Sequence, residues 1–433
     1  MSAAPPGFDL PAPPRPVALC LALSGGLDST ALLHRLAHDA DARRQGLRAV
    51  HIHHGLQPQA DAWAAHCQRC CDALGVPLQV VRVTVPRDGG EGLEAAARNA
   101  RYAALSELIA DDEALVTAHH RDDQAETFLL RALRASGVDG LGAMRTWRPF
   151  ARGWHWRPLL QTSRGALLSY AEAHGLEWVD DPSNTNTELD RNFLRQRILP
   201  LLRTRWPHAE AALARSAALS AEAAELLFAE DARALASCAT LQPDTLSVPA
   251  LRELPATRRA RVLRRWIHGL GLPPLPANGI ASIQDRLLVA APDAEARFDW
   301  NRAVVRRWRD LLHAAPARDP LPDTWTQHWD GRLPLVLAGG GTLALEGAAA
   351  LPAPVRVHAR AGGERIALPG RAHSSTLKNV LLELGVPPWV REHLPLVSTL
   401  DGSLLAAADL VYASSFDTWL RAHGARLDWR DAA

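Results

Sequence analysis

The stretch Leu23-Ser24-Gly25-Gly26-Leu27-Asp28-Ser29-Thr30 follows a short apolar run and opens a helical pattern. Glycines let a backbone approach a phosphate closely, and a helix N-terminus offers free N–H groups and the positive end of the helix dipole. No Gly-Lys-Ser or Gly-Lys-Thr follows, so the loop is not the P-loop of kinases and GTPases. The stretch therefore predicts a phosphate-binding loop after the first strand of an α/β unit.

Around this loop, the first 200 residues alternate between strand-like and helix-like patterns. Such alternation predicts a parallel sheet covered by helices, with ligands at the carboxyl ends of the strands. The expected strands are residues 16–23, 47–52, 78–85 and 114–118, and the expected helices are residues 28–40, 60–74, 92–110 and 122–135.

The pattern changes after about residue 207, where Ala-rich and then Arg-rich helical stretches begin. Short Val/Leu strands with Gly turns follow from about residue 329. We expect a mixed α/β protein with four parts: a disordered tail (1–15), a parallel-sheet domain (16–215), a helical Arg-rich domain (216–325) and a small α+β C-terminal domain (326–433).

Composition places the chain among globular proteins. Of the 433 residues, 47% are hydrophobic and 22% are charged, which excludes disordered and collagen-like chains. No apolar run reaches the ~20 residues of a membrane helix, so we expect no membrane partner. The N-terminus resembles no targeting signal, and five cysteines make no disulfide framework in so long a chain. We therefore expect a cytoplasmic protein.

The net charge of +1 conceals a basic region. Residues 251–310 contain twelve arginines against six acidic residues. A local basic patch is typical of a nucleic-acid partner, although an Arg-rich helical face can also be plain surface. Lys378 is the only lysine in the chain. It marks a position where a compact ammonium group has a use that a guanidinium does not serve, or it has survived by chance.

A second group of polar residues lies between His119 and Thr127, after the fourth expected strand and hence at the same sheet edge as Ser24. Asp122, Asp123 and Glu126 share one helical face. Oxygen ligands in this arrangement suit Mg²⁺ bound to ATP phosphates. Acidic residues also stabilise a helix N-terminus through its dipole, which accounts for one or two of them.

Two arginine pairs belong to the same half of the chain. Arg98 and Arg101 lie three residues apart on an expected helix, and Arg191 and Arg195 share a helical face after a polar loop that contains Asn184. Either pair could hold phosphate or RNA, or could be an ordinary solvated face.

Together these motifs resemble a known family. The phosphate loop is similar to that of the PP-loop (N-type) ATP pyrophosphatases. With residues 122–144, the DPSNTN…RNFLR stretch and the C-terminal motifs RAGGER (360–365), LKN (377–379) and VPPWVREHLPLV (386–397), it resembles the tRNA(Ile)-lysidine synthase family. The resemblance covers residues 16–205 and 355–412.

The resemblance implies an activity. Members of this family use ATP to adenylate the wobble cytidine of an isoleucine tRNA with a CAU anticodon. L-lysine then displaces AMP to give lysidine, which changes codon reading from AUG to AUA. The implied ligands are ATP, Mg²⁺, L-lysine and this tRNA.

The resemblance also implies site residues. The ATP-binding residues are Ser24, Gly25, Gly26, Leu27, Asp28 and Ser29, together with His53 in the nucleotide pocket. The Mg²⁺ ligands are Asp28, Asp123 and Glu126, and the catalytic residues are these three with Arg98 and Arg195. The residues for tRNA or the base are Asn184, Arg191, Arg365 and Lys378. One departure is that Ser374-Ser375-Thr376-Leu377-Lys378 stands where the family carries a run of lysines.

Alternatives remain open at this point. Cys67-Gln68-Arg69-Cys70, with Cys71 beside it, is compatible with a tRNA 2-thiolation enzyme of the same superfamily. Metal clusters, however, normally need four ligands. A catalytically inactive tRNA-binding protein is the other alternative. His51, His53 and His54 line the nucleotide pocket or simply pack. The sequence leaves the oligomeric state open, a homodimer included.

Overall fold

The protein is described here as a computed structural model. It describes residues 7–86, 93–182, 186–291, 294, 296–371 and 373–430. The chain forms two compact units, residues 1–228 and 229–433.

The first unit is built on a six-stranded sheet with the order β3-β2-β1-β4-β6-β5. All its pairings are parallel except that of β5 with β6. This confirms the parallel α/β fold. The strands are β1 Ala18–Ala22, β2 Leu47–His53, β3 Leu78–Arg82, β4 Glu113–Val116, β5 Trp147–Phe150 and β6 Gly153–Trp156.

Helices connect and cover these strands, and their ends lie within a few residues of the expected ones. The helices are α1 Leu27–Ala37, α2 Ala40–Gln45, α3 Ala60–Ala73, α4 Leu93–Leu108, α5 Arg121–Leu133, α6 Val138–Leu141, α7 Arg164–Ala173, α8 Asp190–Phe193, α9 Leu199–Arg205 and α10 Ala209–Cys238. A π-helical turn, Leu194–Ile198, joins α8 to α9. The hairpin β5–β6 was not predicted, because its two four-residue strands carry no extended periodic pattern.

The strand order places the site. In the sheet, β1 lies between β2 and β4, so the chain leaves β1 and β4 on opposite sides of a topological switch point. Ligands of open α/β sheets bind in the crevice beyond such a point. The loop after β1 and the N-terminus of α5 meet there.

The N-terminal segment differs from the expected disordered tail. Phe8 is only 8% exposed and belongs to the main hydrophobic core of the first unit. Its ring packs edge-on against Tyr170, with centroids 4.8 Å apart. Burying an aromatic ring of this size stabilises the segment by roughly 1.5–3 kcal/mol. The Pro/Ala-rich composition of residues 1–15 does not predict that Phe8 packs into the core.

The second unit begins with helices and a sheet. Its helix α12 covers the Arg-rich stretch expected to be helical, but this region also contains a four-stranded antiparallel sheet, β7-β10-β9-β8, that was not predicted. The elements are β7 Thr245–Ser247, α11 Val248–Glu253, α12 Ala256–Gly269, α13 Ala277–Ser282, β8 Arg297–Trp300, β9 Ala303–Trp308 and β10 Leu311–Pro316.

The C-terminal part is α+β, as expected. Its sheets have the orders β11-β14-β17-β18-β19, β12-β13-β20 and β15-β16. The strands are β11 Thr326–Trp329, β12 Leu335–Val336, β13 Thr342–Glu346, β14 Val355–His358, β15 Arg365–Ile366, β16 Ser375–Thr376, β17 Leu396–Ser398, β18 Leu404–Ala407, β19 Val411–Tyr412 and β20 Arg426–Arg430. The helices are α14 Leu377–Glu383, α15 Pro388–Arg391 and α16 Ser414–Ala422.

Replacing Gly25 by alanine tests the turn after β1. Gly25 has φ +85°, and a Cβ there would lie 3.0 Å from the Cys67 sulfur. We expect Gly25→Ala to lower the free energy of unfolding by about 1–2 kcal/mol, since an L-residue pays that for left-handed backbone. The measurement is the urea midpoint followed by circular dichroism. In the control Gly165→Ala, a helical glycine with open space gains a methyl group, and the midpoint should not fall. Equal midpoints for the two variants would contradict the strain.

Candidate active site

The loop after β1 is an open anion-binding turn. Gly26 is the N-cap of α1, and no side chain in the described part of the protein caps this helix. Its first N–H groups therefore point toward the crevice without a side-chain partner. The hydroxyls of Ser24 and Ser29 lie 3.0 Å apart, and Ser29 Oγ also donates to the Gly26 carbonyl at 3.1 Å. These hydrogen bonds stabilise the loop, in which Ser24 is exposed and Ser29 is buried.

Buried groups beneath the loop hold its shape. His51 Nδ1 donates to the Leu23 carbonyl at 2.9 Å, because a carbonyl can only accept. Val179 N–H donates to the Gly25 carbonyl at 2.9 Å. The Cys67 sulfur lies 3.4 Å from His51 Nδ1. Burial raises the pKa of Cys67 to about 12, so the thiol stays neutral and packs under the loop.

His120 joins the two halves of the crevice. It is the N-cap of α5: the Asp123 N–H donates to its Nδ1, and the His120 N–H donates to Asp123 Oδ2 at 3.0 Å. Its Nε2 lies 3.6 Å from Asp28 Oδ2. Burial alone would lower the pKa of His120, but the carboxylates of Asp123 and Asp28 raise it. One imidazole thus fixes the distance between the phosphate loop and α5.

An ion cluster occupies the next turn of α5. Glu126 is completely buried. Arg195 donates to it from Nε at 2.7 Å and from Nη2 at 3.0 Å, and Arg191 Nε donates at 2.8 Å. Both arginines also reach Asp123 Oδ1, at 2.9 Å and 3.3 Å. Arg195 stands in the π-helical turn, a distortion that often marks functional sites.

Two members of this cluster are held in their charged forms by their neighbours. Burial opposes ionisation of Asp123, but the charges of His120 and Arg191 lower its pKa to about 2. Burial likewise opposes the charge on Arg195, and its hydrogen bond to Glu126 raises the pKa above the usual value. Asp123 and Arg195 are therefore ionised at neutral pH, and the hydrogen bonds to the carboxylates hold the guanidinium N–H groups in a fixed orientation.

The three expected metal ligands fit Mg²⁺ unequally. Asp28 Oδ1 is buried and has no hydrogen-bond partner among the described residues, which is the state of an oxygen prepared for a cation. Both oxygens of Glu126 are instead taken by guanidinium groups. Within the described residues, no three His, Cys, Asp or Glu side chains come together as a ready metal site. The structure therefore favours Asp28 as a metal ligand and assigns Glu126 to the arginines.

The other expected residues take separate places. Asp122 turns away from Asp123, because its carboxylate accepts from the Arg164 N–H at 3.2 Å and pairs with Arg203 at 3.3 Å. His53 Nε2 pairs with Asp61 at 3.1 Å at the end of β2. Asn184 lies outside the described residues.

Arg98 lies on α4 with its guanidinium 5.1 Å from the centre of the Tyr102 ring. Arg101 approaches the same ring at 5.7 Å. Burial lowers the pKa of Arg101. The pair, separated by one turn, therefore frames an aromatic face with two cations, an arrangement suited to a stacked base or a phosphate.

The cysteines of α3 form no cluster in the described chain. Cys70 faces His66 Nε2 at 3.4 Å, whereas Cys67 faces His51. Burial raises the pKa of Cys71 to about 12. Among the described residues, these cysteines therefore do not belong to a group of three or more metal-ligating side chains.

In the second unit, the side chain of Arg365 is hydrogen-bonded within the protein, whereas Lys378 is exposed to solvent. Arg365 donates to the Ser374 hydroxyl at 2.9 Å and to the Ser374 carbonyl. Lys378 is exposed on α14 and lines a groove of about 480 Å³. Further residues around this groove are Arg297, Arg306, Arg307, Trp308, Arg309, Trp389 and Arg391.

The strand order, the glycine turn after β1 and the acidic helix after β4 define a PP-loop protein, and the PP-loop domain family matches residues 10–202. The TilS substrate binding domain matches residues 246–313, and the TilS substrate C-terminal domain matches residues 355–429.

Similarity to individual proteins extends over nearly the whole chain. It is 53% identical to the tRNA(Ile)-lysidine synthase of Xanthomonas axonopodis pv. citri, over 98% of this chain and 96% of that one. It is 43% identical to the tRNA(Ile)-lysidine synthase of Pseudomonas aeruginosa, over 95% and 92%. The chain belongs to the tRNA(Ile)-lysidine synthase family, which confirms the resemblance seen in the motifs. No helix in the described part of the chain is long and apolar enough to cross a membrane.

Sequence reasoning missed three residues beside the site: Thr117, His155 and Arg157. They lie near the ends of β4 and β6 and are buried. Because β5 and β6 were not predicted, nothing in the sequence placed His155 and Arg157 next to β4. The only signal was the position of Thr117 at the carboxyl end of an expected strand.

Replacing Glu126 by glutamine tests the ion cluster. The neutral amide cannot serve three guanidinium donors, so two partly buried cations lose one of their two anionic partners and keep only Asp123. We expect Glu126→Gln to lower the free energy of unfolding by about 2–3 kcal/mol. The measurement is the urea midpoint of the full chain. The control Glu222→Gln removes an exposed partner of Arg215 and should change stability by less than about 0.5 kcal/mol. A loss no larger than that of the control would show that the cluster does not stabilise the fold.

Proposed function

We propose that this protein joins L-lysine to carbon 2 of the wobble cytidine of the CAU-anticodon isoleucine tRNA, using ATP and releasing AMP and pyrophosphate. The observation that carries the proposal is the crevice itself. An uncapped phosphate loop with the unpartnered Asp28 oxygen faces an arginine cluster across His120. Nearly full-length similarity to lysidine synthases supports the choice of substrates.

The reaction has two balanced steps. The cytosine O2 attacks the α-phosphorus of ATP, and the bond to pyrophosphate breaks. The ε-amine of lysine then attacks carbon 2, the C2–O2 bond breaks, AMP leaves with O2, and the amine loses its proton. An amide-like oxygen is a poor leaving group, which is why adenylation must come first. The protein must therefore hold three substrates in line and stabilise two departing anions.

Residues of the crevice divide these tasks. Backbone N–H groups from Gly25 onward, with the Ser24 and Ser29 hydroxyls, bind the ATP phosphates. Arg98 and Arg195 stabilise negative charge that develops on the base and on the leaving phosphate, and Arg191 supports Arg195 through their shared carboxylates.

A metal ion belongs to the same proposal. Asp28 would hold Mg²⁺, and Asp123, which contacts the same His120 ring, would be a further carboxylate beside the ion. The bound ion would neutralise charge on the departing pyrophosphate. Glu126 was expected as a third ligand, but it orients Arg191 and Arg195 in this structure.

The groove of the second unit is the proposed tRNA surface. Two parts of this unit meet there: Trp389 stacks on His313 of β10 with centroids 4.2 Å apart, and Arg306 pairs with Glu392 at 2.8 Å. Arg309 lies 4.5 Å from the centre of the Trp308 ring, and the exposed Lys378 lines the same groove. Cations beside aromatic rings suit a nucleic-acid backbone and its bases.

Removing cations from this groove tests tRNA binding. For Lys378→Ala and for Arg309→Ala, we expect weaker binding and a slope of log K against log salt that is smaller by about one unit per lost phosphate contact. The measurement is filter binding of the tRNA at several salt concentrations. The control Arg430→Ala removes an exposed arginine already paired with Asp428, and its slope should match the wild type. An unchanged slope in both groove variants would place the tRNA elsewhere.

The activity is tested by release of AMP and pyrophosphate from ATP in the presence of L-lysine and a CAU-anticodon isoleucine tRNA transcript. We expect release that requires both the wobble cytidine and lysine. Asp28→Asn should reduce kcat by about 10²-fold or more, because it removes the carboxylate proposed to hold the metal. Asp41→Asn changes an exposed carboxylate on α2 and serves as the control.

Other outcomes of this assay separate the alternatives. Release of AMP and pyrophosphate without lysine would support adenylation of the tRNA. It would also mean that the nucleophile is not lysine, and a sulfur nucleophile would become a candidate. No release by folded protein would favour a tRNA-binding protein without activity.

A tRNA partner and five free cysteines also support action in the cytoplasm.

A further inference from the structure

A buried chain of hydrogen bonds runs beside the proposed site without belonging to the residues assigned above. Arg157 Nη2 lies 3.1 Å from His155 Nδ1, and His155 Nε2 lies 2.9 Å from Thr117 Oγ1. Thr117 Oγ1 in turn lies 2.8 Å from His119 Nδ1. The chain therefore leads from a buried guanidinium on one strand end to an imidazole just before α5.

The guanidinium fixes the direction of the first two bonds. An arginine donates and cannot accept, so His155 Nδ1 must be the acceptor and carries no hydrogen. Arg148 Nη2, 3.5 Å from the same nitrogen, points to the same assignment. In a neutral imidazole the hydrogen then lies on Nε2, and His155 Nε2–H donates to Thr117 Oγ1.

Thr117 fixes the last bond. Its side chain is only 8% exposed, and among the described residues the two histidines are the partners of Oγ1. Thr117 Oγ1 already accepts a hydrogen bond from His155. The hydroxyl hydrogen of Thr117 can therefore be donated only to His119 Nδ1, the other described partner. Any other arrangement leaves a buried hydroxyl hydrogen without an acceptor. The hydrogen of His119 must therefore lie on Nε2.

The surroundings keep both rings neutral. Burial, with the charges of Arg157 and Arg148, lowers the pKa of His155 to about 2. Burial also lowers the pKa of His119 to about 3, although Asp123 opposes this; Arg157, Arg191 and Arg98 act in the same direction as burial. Arg157 itself remains charged at neutral pH, since burial lowers its pKa only to about 10.

His119 directly precedes His120, whose ring contacts Asp28 and Asp123 of the proposed site. The charges that act on His119 are those of Asp123, Arg191 and Arg98 of that site, together with Arg157. The ring is half-buried, and its Nε2 makes no hydrogen bond to any described residue. An N–H held in one orientation and left without a protein acceptor is available to a substrate.

We propose that Arg157, His155 and Thr117 are positioning residues that hold His119 in its Nε2–H tautomer as a hydrogen-bond donor to the substrates. The catalytic part of this proposal rests on the proposed function, where the acceptor is an atom of the adenylated base or its leaving phosphate. With Nδ1 accepting and Nε2 donating, His119 does not take the proton from the lysine amine.

The first experiment compares two amide replacements of His119. The glutamine amide nitrogen stands near the position of Nε2, whereas that of asparagine stands near Nδ1. We expect His119→Asn to lose about 10²-fold in kcat, as removal of one preorganised donor does. His119→Gln should retain at least tenfold more activity than His119→Asn, with similar KM values for ATP and lysine. Equal losses, or a better Asn variant, would overturn the donor role.

The second experiment reads the tautomer without activity. Two-bond ¹H–¹⁵N correlation spectra of the full chain with ¹⁵N-histidine report which ring nitrogen carries hydrogen, and the His119 signal is the one absent from His119→Gln. We expect protonated Nε2 in the wild type. Thr117→Val should give a mixture of tautomers and lose about tenfold in kcat, the cost of losing a group that orients a histidine. Thr117→Ser, which restores the hydroxyl, should rescue both.

If Nδ1 of His119 carried the hydrogen in the wild type, the proposed hydrogen-bond chain would be wrong. It would also be wrong if the His119 tautomer were the same in Thr117→Val as in the wild type. Because these spectra need no substrate, an error in the proposed hydrogen-bond chain is distinguishable from an error in the proposed function. If Thr117→Val does not fold, as judged by circular dichroism, the wild-type spectrum and the His119 pair still decide the question.

Discussion

The parallel pairing of β1 with β4 is the constraint on which the site depends. It brings the carboxyl ends of two strands side by side, one continuing into the glycine turn and the other into α5. The left-handed backbone of Gly25 turns the chain into α1 with its N–H groups open. His120 then spans from α5 to Asp28 and sets the width of the crevice. Without this pairing, the two motifs would be unrelated polar segments.

Electrostatics divides the crevice into two sides. On the side of the phosphate loop lie a helix and a carboxylate oxygen that have no capping or hydrogen-bonding partner among the described residues, an arrangement that suits phosphates and a cation. On the other side, two carboxylates are already neutralised by Arg191 and Arg195. In the proposed reaction, guanidinium groups held in place in this way would stabilise departing anions without reorganisation. The same carboxylates that resemble metal ligands in the sequence thus serve to orient arginines.

The sequence predicted what depends on local pattern. The strands and helices around residues 16–135, and the grouping of Asp123 and Glu126 on one face of α5, followed from periodicity. It could not predict that Glu126 meets arginines from residues 191 and 195, because that contact joins segments more than sixty positions apart. The sequence also did not predict the strands β5 and β6, which are too short to show a period. The hydrogen-bond chain from Arg157 through His155 to Thr117 was therefore missed as well.

The C-terminal half shows the same division. The helix at residues 256–269 was predicted because its apolar and basic residues alternate with helical period. The sheet formed by β7 to β10 was not, because its pairing depends on contacts between segments separated by helices. Lys378 was singled out from composition and from the family resemblance. Only the structure shows that it lines the same groove as Arg309.

The most direct test of the account is the fate of the lysine ε-nitrogen. The protein would be incubated with ATP, a CAU-anticodon isoleucine tRNA and lysine labelled with ¹⁵N at the ε-position, and the nucleosides would be analysed by mass spectrometry. The account predicts one modified cytidine per tRNA, from the wobble position, with the ¹⁵N bonded to the base. An unlabelled or sulfur-containing wobble nucleoside, or an unmodified one despite AMP release, would contradict it.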